Sequence, residues 1–423
     1  MEGIRFVDIY ATKGIEYLIV IGYLVALVMV WRFLCGSRGP VEVRDQRRRV
    51  GGRFILPEEY CFHQGHSWAT PVGGNVVKVG MDDFAHRLLG RPDGIDLPAL
   101  GTRLLQGERG WELRVGSVSV GMLSPVEGEV VGVNYEVVDS PEILCADPYE
   151  RGWLLEVQVP EQRRNQRNLL CGPLAHAWME EQLRAMRVDL GLVLPDIEAP
   201  AGCDGFARAV APDDWHEVAG NLLLSLGSTG VAERPARRVI GWFNLPDPYC
   251  FHQGHSWAIP EDGDVVRVGM DEFVGWLLGR PSAIELPEVS CHLSQGGKGW
   301  SIRIGSQRVG MLSPVEGEVV AVNHAVMESP DILCSDPYGG GWLLKVRVPD
   351  RKRNQKNLLC GGLARAWMEQ KVRDLRERVL TVSEVETALS QDAGGSAGCG
   401  GYFRIAAPDN WTEVVGEFLL SEE

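Results

Sequence analysis

Cysteine and histidine recur at one fixed spacing near the start of two long, similar stretches. A Cys-x-His-x-x-His motif spans residues 61–66 and returns at residues 250–255. Thiolate and imidazole are preferred zinc ligands, but a structural zinc site takes four and each motif supplies at most three. We therefore expect a structural role, and a metal or thiol-redox protein is kept as the alternative. The side chains concerned are Cys61, His63, His66, Cys250, His252 and His255.

Two basic runs, at residues 163–168 and 352–357, are the next feature with chemical potential. Each precedes Leu-Leu-Cys-Gly and a helical pattern, so the ordinary interpretation is a solvated loop leading into a helix. The functional interpretation is a docking patch for an acidic partner or an anionic membrane surface. Its candidate residues are Arg163, Arg164, Arg167, Lys352, Arg353 and Lys356.

The remaining polar residues form no known catalytic pattern, so no enzyme activity and no catalytic residue are predicted. The sequence contains no glycine-rich phosphate loop, nucleophile elbow or Ser-His-Asp order. Asp82 and Asp83 are expected on an exposed helix turn and are assigned no chemistry. The 10 cysteines are too few and too scattered for a disulfide scaffold, so free, mostly buried thiols in a reducing compartment are expected.

The chain is a tandem duplication. Residues 54–187 align without gaps to residues 243–376, at an offset of 189, and 84 of the 134 positions are identical. A period near 190 is too long for a solenoid, so a whole domain has been duplicated. We predict domain 1 at 54–226, a linker at 227–241 and domain 2 at 242–423.

Short β-branched and aromatic runs, separated by Gly, Pro, Asn and Asp, predict strands in each copy. In copy one they lie at 76–79, 111–115, 118–122, 129–133 and 153–159. Helices are predicted at 83–89, closed by Gly90, at 172–187 and at 215–226. The sequence therefore predicts a β-rich α+β fold, a small barrel or sandwich with flanking helices.

The motifs resemble the glycine cleavage H-protein family, the lipoate carrier of glycine decarboxylation. The early His-x-Trp is His66-x-Trp68 and His255-x-Trp257, and Ser-Pro-Val-Glu-Gly-Glu-Val-Val begins at Ser124 and at Ser313. Copy one continues with Asp147-Pro-Tyr149 and Gly152–Leu155, and copy two matches it. The resemblance implies two barrel-sandwich hybrid (lipoyl-like) domains, and it accounts for His66 and His255 by packing and a hydrogen bond.

The family's lipoyl lysine lies in a hairpin seven residues before the serine of Ser-Pro. Here that position is Ser117 in copy one and Ser306 in copy two, and both hairpins read Gly-Ser. Arg114 and Arg303 replace the acid that precedes the family's lysine. No lysine lies between Lys78 and Lys298, and a serine hydroxyl cannot form the amide that holds lipoate. We therefore predict no lipoate and no other cofactor.

An uncharged run, continued past Arg32, predicts one transmembrane helix at 15–36. It follows an N-terminal tail, 1–14, and precedes a basic juxtamembrane linker, 37–53. Seven arginines lie near the end of the span or just after it, from Arg32 to Arg53, against two basic residues before it, so the positive-inside rule places the body in the cytoplasm, at the inner membrane.

Charge excludes one class of partner. The net charge of the whole chain is −15. Residues 1–53 carry a net charge of +4, so residues 54–423 carry −19. Nucleic-acid binding needs a basic face, so it is not expected. The sequence predicts a membrane-anchored, unlipoylated accessory or interaction subunit of a membrane-bound complex, such as a respiratory redox complex. A working lipoyl carrier in glycine cleavage or a related pathway is the main alternative.

Overall fold

The computed structural model describes residues 54–190, 243–379 and 411–420, with short pieces at 22–24, 47–50, 205, 207, 215, 219–220, 223 and 239–240. The chain divides into two units, Met1–Arg48 and Arg49–Glu423, and both copies of the repeat lie in the second. Apart from residues 22–24, the predicted span at 15–36 lies outside the described residues, as do the tail 1–14 and most of the linker 37–53. No helix in the described part of the chain is long and apolar enough to cross a membrane.

Each copy is built from short antiparallel strands, as the β-branched and aromatic runs of the sequence predict. A further strand, β1, spans Arg47–Val50. The strands of copy one are β2 Phe54–Pro57, β3 Cys61–His63, β4 Ser67–Gly73, β5 Val76–Met81, β6 Gly94–Asp96, β7 Arg103–Leu104, β8 Arg109–Val115, β9 Val118–Leu123, β10 Gly128–Val133, β11 Trp153–Gln158 and β12 Leu170–Cys171. Those of copy two are β13 Val239–Ile240, β14 Phe243–Asn244, β15 Cys250–His252, β16 Ser256–Pro260, β17 Val265–Met270, β18 Ala283–Glu285, β19 His292–Leu293, β20 Lys298–Ile304, β21 Gln307–Leu312, β22 Gly317–Val322 and β23 Leu344–Arg347.

Most of the strands form one large and one small sheet in each copy, and β13 and β14 form a separate two-stranded sheet. In copy one the orders are β12-β3-β4-β5-β11-β10-β7 and β6-β8-β9. Copy two repeats them as β15-β16-β17-β23-β22-β19 and β18-β20-β21, with an isolated Phe251–Leu359 bridge at the place of β12. The predicted β-rich fold with two tandem domains is confirmed.

Helices flank the sheets. In copy one they are α1 Asp83–Leu89, α2 Tyr135–Asp139, α3 Ile143–Ala146, α4 Gln162–Arg167 and α5 Pro173–Leu190. In copy two they are α6 Glu272–Leu278, α7 His324–Glu328, α8 Ile332–Ser335, α9 Arg351–Gln355, α10 Gly361–Val379 and α11 Trp411–Leu419. The predicted helix at 83–89 is confirmed residue for residue. It begins where the Asp82 side chain accepts a hydrogen bond from the Ala85 N–H and ends at Gly90, at φ 83°.

Large aromatic side chains fill the core of each copy. Trp68 and Trp178 are buried in copy one, and Trp257 and Trp367 are buried at the matching places in copy two. The Tyr60 ring meets Trp68 edge to face, with centroids 5.0 Å apart. The Trp178 ring of α5 packs against Phe62 of β3, with centroids 6.5 Å apart, and against His66, at 4.9 Å, so an aromatic side chain packs α5 on the large sheet.

Two cross-strand disulfides show that the prediction of free thiols was wrong for these cysteines. Cys61 lies opposite Cys171 and is disulfide-bonded to it, with Cα atoms 4.4 Å apart. Cys250 is disulfide-bonded to Cys360, with Cα atoms 4.5 Å apart. This is the Cα separation of a non-hydrogen-bonded antiparallel pair, which brings both side chains to one face. The partners are 110 residues apart, so no local spacing revealed them. Cys334 is disulfide-bonded as well, and Cys291 carries a free, exposed thiol.

Candidate functional site at the hairpins and the junction between the copies

The two hairpins that would carry a prosthetic group end in a tight Gly-Ser turn. Strands β8 and β9 are joined by Gly116 and Ser117, and the Gly116 φ of 63° is the left-handed value that a two-residue turn needs at its first position. Gly305 and Ser306 join β20 and β21 in the same way, with φ 60°. Both serines are exposed at the tips. The hairpins therefore expose their tip residues to solvent, and the side chains exposed there end in hydroxyl groups.

The lysines nearest to the hairpins in sequence lie in strands, away from the hairpin tips. Lys298 is the first residue of β20 and pairs with Leu312, six strand positions before Ile304 and hence about 20 Å from the tip. Lys78 lies in β5, 3.7 Å from Glu156 and 4.8 Å from the centre of the Trp153 ring. The arginines near the tips are paired within their own sheets, because Arg114 contacts Asp96 at 3.1 Å. Arg303 likewise contacts Glu285.

The Ser-Pro-Val-Glu-Gly motif after each hairpin is a structural turn. Ser124 is buried, and its hydroxyl donates to the carbonyl of Val126 at 2.7 Å. A Cβ on Gly128 would lie 2.3 Å from the Gln158 carbonyl oxygen, so only glycine permits the pairing of β10 with β11. Ser313 and Gly317 repeat both features. This motif keeps its function in the fold whether or not a lysine stands before it.

The His-x-Trp and Asp-Pro-Tyr motifs meet in one buried hydrogen-bond network. His66 Nδ1 lies 2.9 Å from Asp82 Oδ2, and its ring stacks on Phe84 with centroids 4.5 Å apart. Trp68 Nε1 donates to the carbonyls of Met81 and Pro148, at 2.9 and 3.1 Å. These motif residues are therefore structural in both copies, since the contacts to Met270 and Asp271 repeat them.

Asp82 and Asp83 are buried, so the expectation of an exposed helix turn was wrong. Asp83 accepts hydrogen bonds from the Ile55 N–H, His86 Nε2 and Arg87 Nε, at 2.8 to 2.9 Å. Burial by itself would raise the pKa of Asp83, but the bonds and charges of His86 and Arg87 outweigh it and leave the pKa below its ordinary value. In copy two the equivalent Glu272 accepts from the Asn244 N–H.

The three side chains of each Cys-x-His-x-x-His motif point to three different partners. Cys61 is in a disulfide, His66 faces Asp82, and His63 Nε2 lies 3.1 Å from Asn357 Oδ1 in the other copy. Copy two repeats the arrangement with Cys250, His255 and His252. Within the described residues, no group of three or more His, Cys, Asp or Glu side chains could hold a metal ion.

His63 belongs to the contact between the two copies, which we call the junction. Its equivalent, His252, lies 3.1 Å from Asn168 in copy one. Gln64 Nε2 donates to the Leu358 carbonyl and Gln253 Nε2 to the Leu169 carbonyl, each at 2.9 Å. Because these contacts occur twice with the copies exchanged, this part of the junction has the reciprocity of a two-fold symmetric dimer.

Both junction histidines are neutral at pH 7. The Gly65 N–H donates to His63 Nδ1, so the ring proton is on Nε2 and is donated to Asn357. Burial, with the charge of Lys356 nearby, lowers the pKa of His63 to about 4. Burial and the charge of Arg167 lower the pKa of His252 to about 3.

The basic runs lie in α4 and α9, and they are divided between solvent and the junction. Arg163 and Lys352 are exposed. Arg353 reaches across the junction to Glu108 at 2.7 Å and also pairs with Glu316 of its own copy at 2.6 Å. Arg164 pairs with Glu127 and Glu161 of its own copy. Arg167 donates a hydrogen bond to the Gly296 carbonyl. Burial lowers the pKa of Lys356 to about 8.

Sequence reasoning missed the asparagines that end the basic runs. Asn168 and Asn357 are buried, and each also donates to a glutamine of its own copy, Gln106 and Gln295. The signal was present, because Arg-Asn-Gln-x-Asn recurs in both copies with asparagine unchanged while neighbouring cations interchange. A buried amide that links two domains leaves no other local pattern.

The fold and the hairpins define a class, a tandemly duplicated β-rich domain in which a two-residue hairpin projects from the small sheet. The family model of the glycine cleavage H-protein matches residues 60–182 and again residues 249–371. The chain belongs to the glycine cleavage H-protein family.

Individual relatives agree. The glycine cleavage system H protein of Prochlorococcus marinus (strain MIT 9303) is 40% identical over 108 residues, covering 26% of this chain and 83% of the relative. That of Mycobacterium avium (strain 104) is 35% identical over 106 residues, covering 25% and 80%. A crystal structure of the Mycobacterium marinum H protein is 29% identical and covers 25% of this chain and 87% of that chain, with a TM-score of 0.23, too low for comparing the folds in detail.

The neutral junction histidines predict a loss of stability in acid. Their folded pKa values lie below the ordinary 6.5, so the unfolded chain binds more protons and the free energy of unfolding falls as pH drops from 6.5 towards 4. His63 alone should account for about 3 kcal/mol. Urea unfolding at pH 7 and at pH 4.5 measures this loss in the free energy of unfolding. A His63→Gln and His252→Gln double variant, whose amides donate without titrating, should lose much of the dependence.

Exposed His292 provides the control, because His292→Gln should leave the pH profile unchanged. Identical profiles for the wild type and the double variant would show that the junction histidines do not titrate on unfolding.

Proposed function

We propose that this protein is a non-catalytic interaction protein that uses two H-protein scaffolds without carrying lipoate. One observation supports this above all others, the presence of Ser117 and Ser306 at the exposed hairpin tips. Lipoate is held by an amide, which needs an amine nucleophile at the tip, and a hydroxyl group cannot supply it. The alternative, a working lipoyl carrier, would need attachment at Lys298, about 20 Å along β20 from the tip.

Intact-mass analysis tests the absence of lipoate. The full chain, co-expressed with a lipoate ligase and supplied with lipoate, should show no lipoyl or octanoyl adduct, while a lysine-bearing H protein in the same cells is modified. A Lys298→Arg variant distinguishes the alternative, because an adduct that appears on the wild type and vanishes from this variant would make the protein a carrier.

The scaffold supports a docking role because both hairpins are formed and exposed although their tips carry serine instead of lysine. Both hairpins project from small sheets that are separate from the large ones, with exposed tips. The exposed members of the basic runs, Arg163 and Lys352, lie on the acidic body of the protein, where they offer local positive charge to an acidic partner. We therefore propose an accessory subunit of a membrane-bound complex, such as a respiratory redox complex.

Co-purification after detergent extraction tests the docking role. The wild type should retain stoichiometric partners, and an Arg163→Glu and Lys352→Glu double variant should lose them without a change in unfolding temperature. The control is Arg91→Glu, a substitution of an exposed arginine outside the runs. A wild-type protein that elutes alone, or a double variant that keeps every partner, would contradict it.

The proposed anchor at 15–36 raises the question of which side the body occupies. The arginines after the span favour a cytoplasmic body, which we propose, at the inner membrane. The Cys61–Cys171 and Cys250–Cys360 disulfides oppose it, because such bonds persist in oxidising compartments.

Protease treatment of intact cells decides between the two arguments. With a cytoplasmic body, the chain should stay intact until the inner membrane is permeabilised. If the protease cleaves the two domains while the inner membrane is still intact, the domains lie on the oxidising side of that membrane, in agreement with the disulfides. A cytoplasmic membrane protein with a known cytosolic domain is the matched control.

A further inference from the structure

Two short segments of each copy make the paired hydrogen bonds across the junction. The donor segment, residues 61–64 in copy one and 250–253 in copy two, supplies a histidine and a glutamine that donate to the other copy. The acceptor segment, residues 168–171 and 357–360, supplies the asparagine and the leucine carbonyl that accept these bonds. Each of these bonds therefore needs a donor segment from one copy and an acceptor segment from the other.

One disulfide in each copy joins its donor segment to its own acceptor segment. Cys61 begins the donor segment of copy one and is bonded to Cys171, the last residue of the acceptor segment. Cys250 and Cys360 occupy the same positions in copy two. Because every paired contact uses one segment from each copy, both disulfides brace both sets of contacts.

The backbone pairing that holds the acceptor segment to the large sheet is short. Strand β12 lies at the edge of that sheet and forms only two residue pairs with β3. In copy two the pairing is an isolated bridge between Phe251 and Leu359, with backbone hydrogen bonds of 2.7 and 2.8 Å. The buried leucines of the segment add side-chain packing. Opening the disulfide therefore loosens the acceptor segment without removing all that holds it.

The two disulfides differ in their access to a dissolved reductant. Cys61 and Cys171 are both partly exposed, so a thiol can approach that bond from either end. In copy two Cys360 is partly exposed, whereas Cys250 is only 8% exposed. Thiol–disulfide exchange depends on access to the sulfur that is attacked. The bond of copy one should therefore be reduced first.

We propose that the Cys61–Cys171 bond is a redox-active site at which a dithiol reductant loosens the junction. A thiolate of the reductant attacks one sulfur and forms a mixed disulfide, and the other cysteine leaves as a thiolate that takes up a proton. The second thiol of the reductant then displaces the remaining cysteine, and the reductant becomes a disulfide. Two electrons and two protons have then passed from the dithiol to the cysteine pair.

The change reaches copy two through buried hydrogen bonds. When the acceptor segment of copy one moves, the His252 N–H loses the Asn168 oxygen that accepts from it. The Gln253 amide loses the Leu169 carbonyl in the same way. A buried donor without an acceptor is costly, so the donor segment of copy two opens as well. The redox state of one copy thus sets how firmly it holds the other.

Hydrogen exchange of the detergent-purified full chain, measured by mass spectrometry, tests the proposal. Under mild dithiothreitol, alkylation should show that Cys61 and Cys171 become thiols before Cys250 and Cys360 do. Amide exchange in the donor and acceptor segments of both copies should then rise about tenfold, as expected for local opening. Exchange in the helix Asp83–Leu89 should stay unchanged, which distinguishes loosening of the junction from global unfolding.

Serine variants separate this bond from the disulfide of Cys334, which dithiothreitol also attacks. A Cys61→Ser and Cys171→Ser double variant, without reductant, should raise exchange in the donor segment of copy two, whose own disulfide is intact. The control is Cys291→Ser, which removes an exposed free thiol and should exchange as the wild type does.

The duplication also supplies the mirror variant. Cys250→Ser with Cys360→Ser should loosen the donor segment of copy one. Should a serine variant fail to fold, the dithiothreitol experiment on the wild type decides. Three results would overturn the proposal: bonds of the folded chain that resist dithiothreitol, full reduction without faster exchange at the junction, or a rise that is equally large in the helix Asp83–Leu89.

Discussion

The buried hydrogen bonds between His63 and Asn357, and between His252 and Asn168, tie the two copies into one unit. A fully buried imidazole donor needs an acceptor, and here the acceptor belongs to the other copy. Either copy alone would expose these polar groups together with the apolar surface around them. The tandem arrangement is therefore a single folded body, in agreement with the compact unit Arg49–Glu423, and duplication has produced an internal dimer.

Strand β3 and the turn that follows it make three structural contacts within the six residues 61–66. The disulfide at Cys61 ties its strand to the segment before α5, His63 at the strand's end crosses the junction, and His66, at φ 60°, turns back to Asp82. Alternate strand residues point to the same face, but the left-handed residue at the end redirects the last side chain. The spacing that resembles a metal motif is thus the spacing of three separate structural contacts.

Local features of the fold were predictable from sequence, and long-range ones were not. The helix Asp83–Leu89 was predictable because its cap, its apolar face and Gly90 all lie within nine residues. The Cys61–Cys171 bond was not, because it depends on a strand pairing across 110 residues. Asp82 and Asp83 look like an ordinary acidic helix start, and only the packing of β2 and His66 against them makes them buried. The serines at the hairpin tips were found only because the family's lysine position was known.

The scaffold motifs and the hairpin tips are under separate physical constraints. The motif residues Ser124, Trp68 and Gly128 are held by buried contacts that fold the domain, so replacing any of them costs stability whatever the hairpin carries. The tip residues are exposed and make no such contacts, so lysine can become serine there at little cost to the fold. At the junction, Glu108 pairs with Arg353 of the other copy, whereas the equivalent position in copy two is Gly297, so two nearly identical domains differ in charge where they meet.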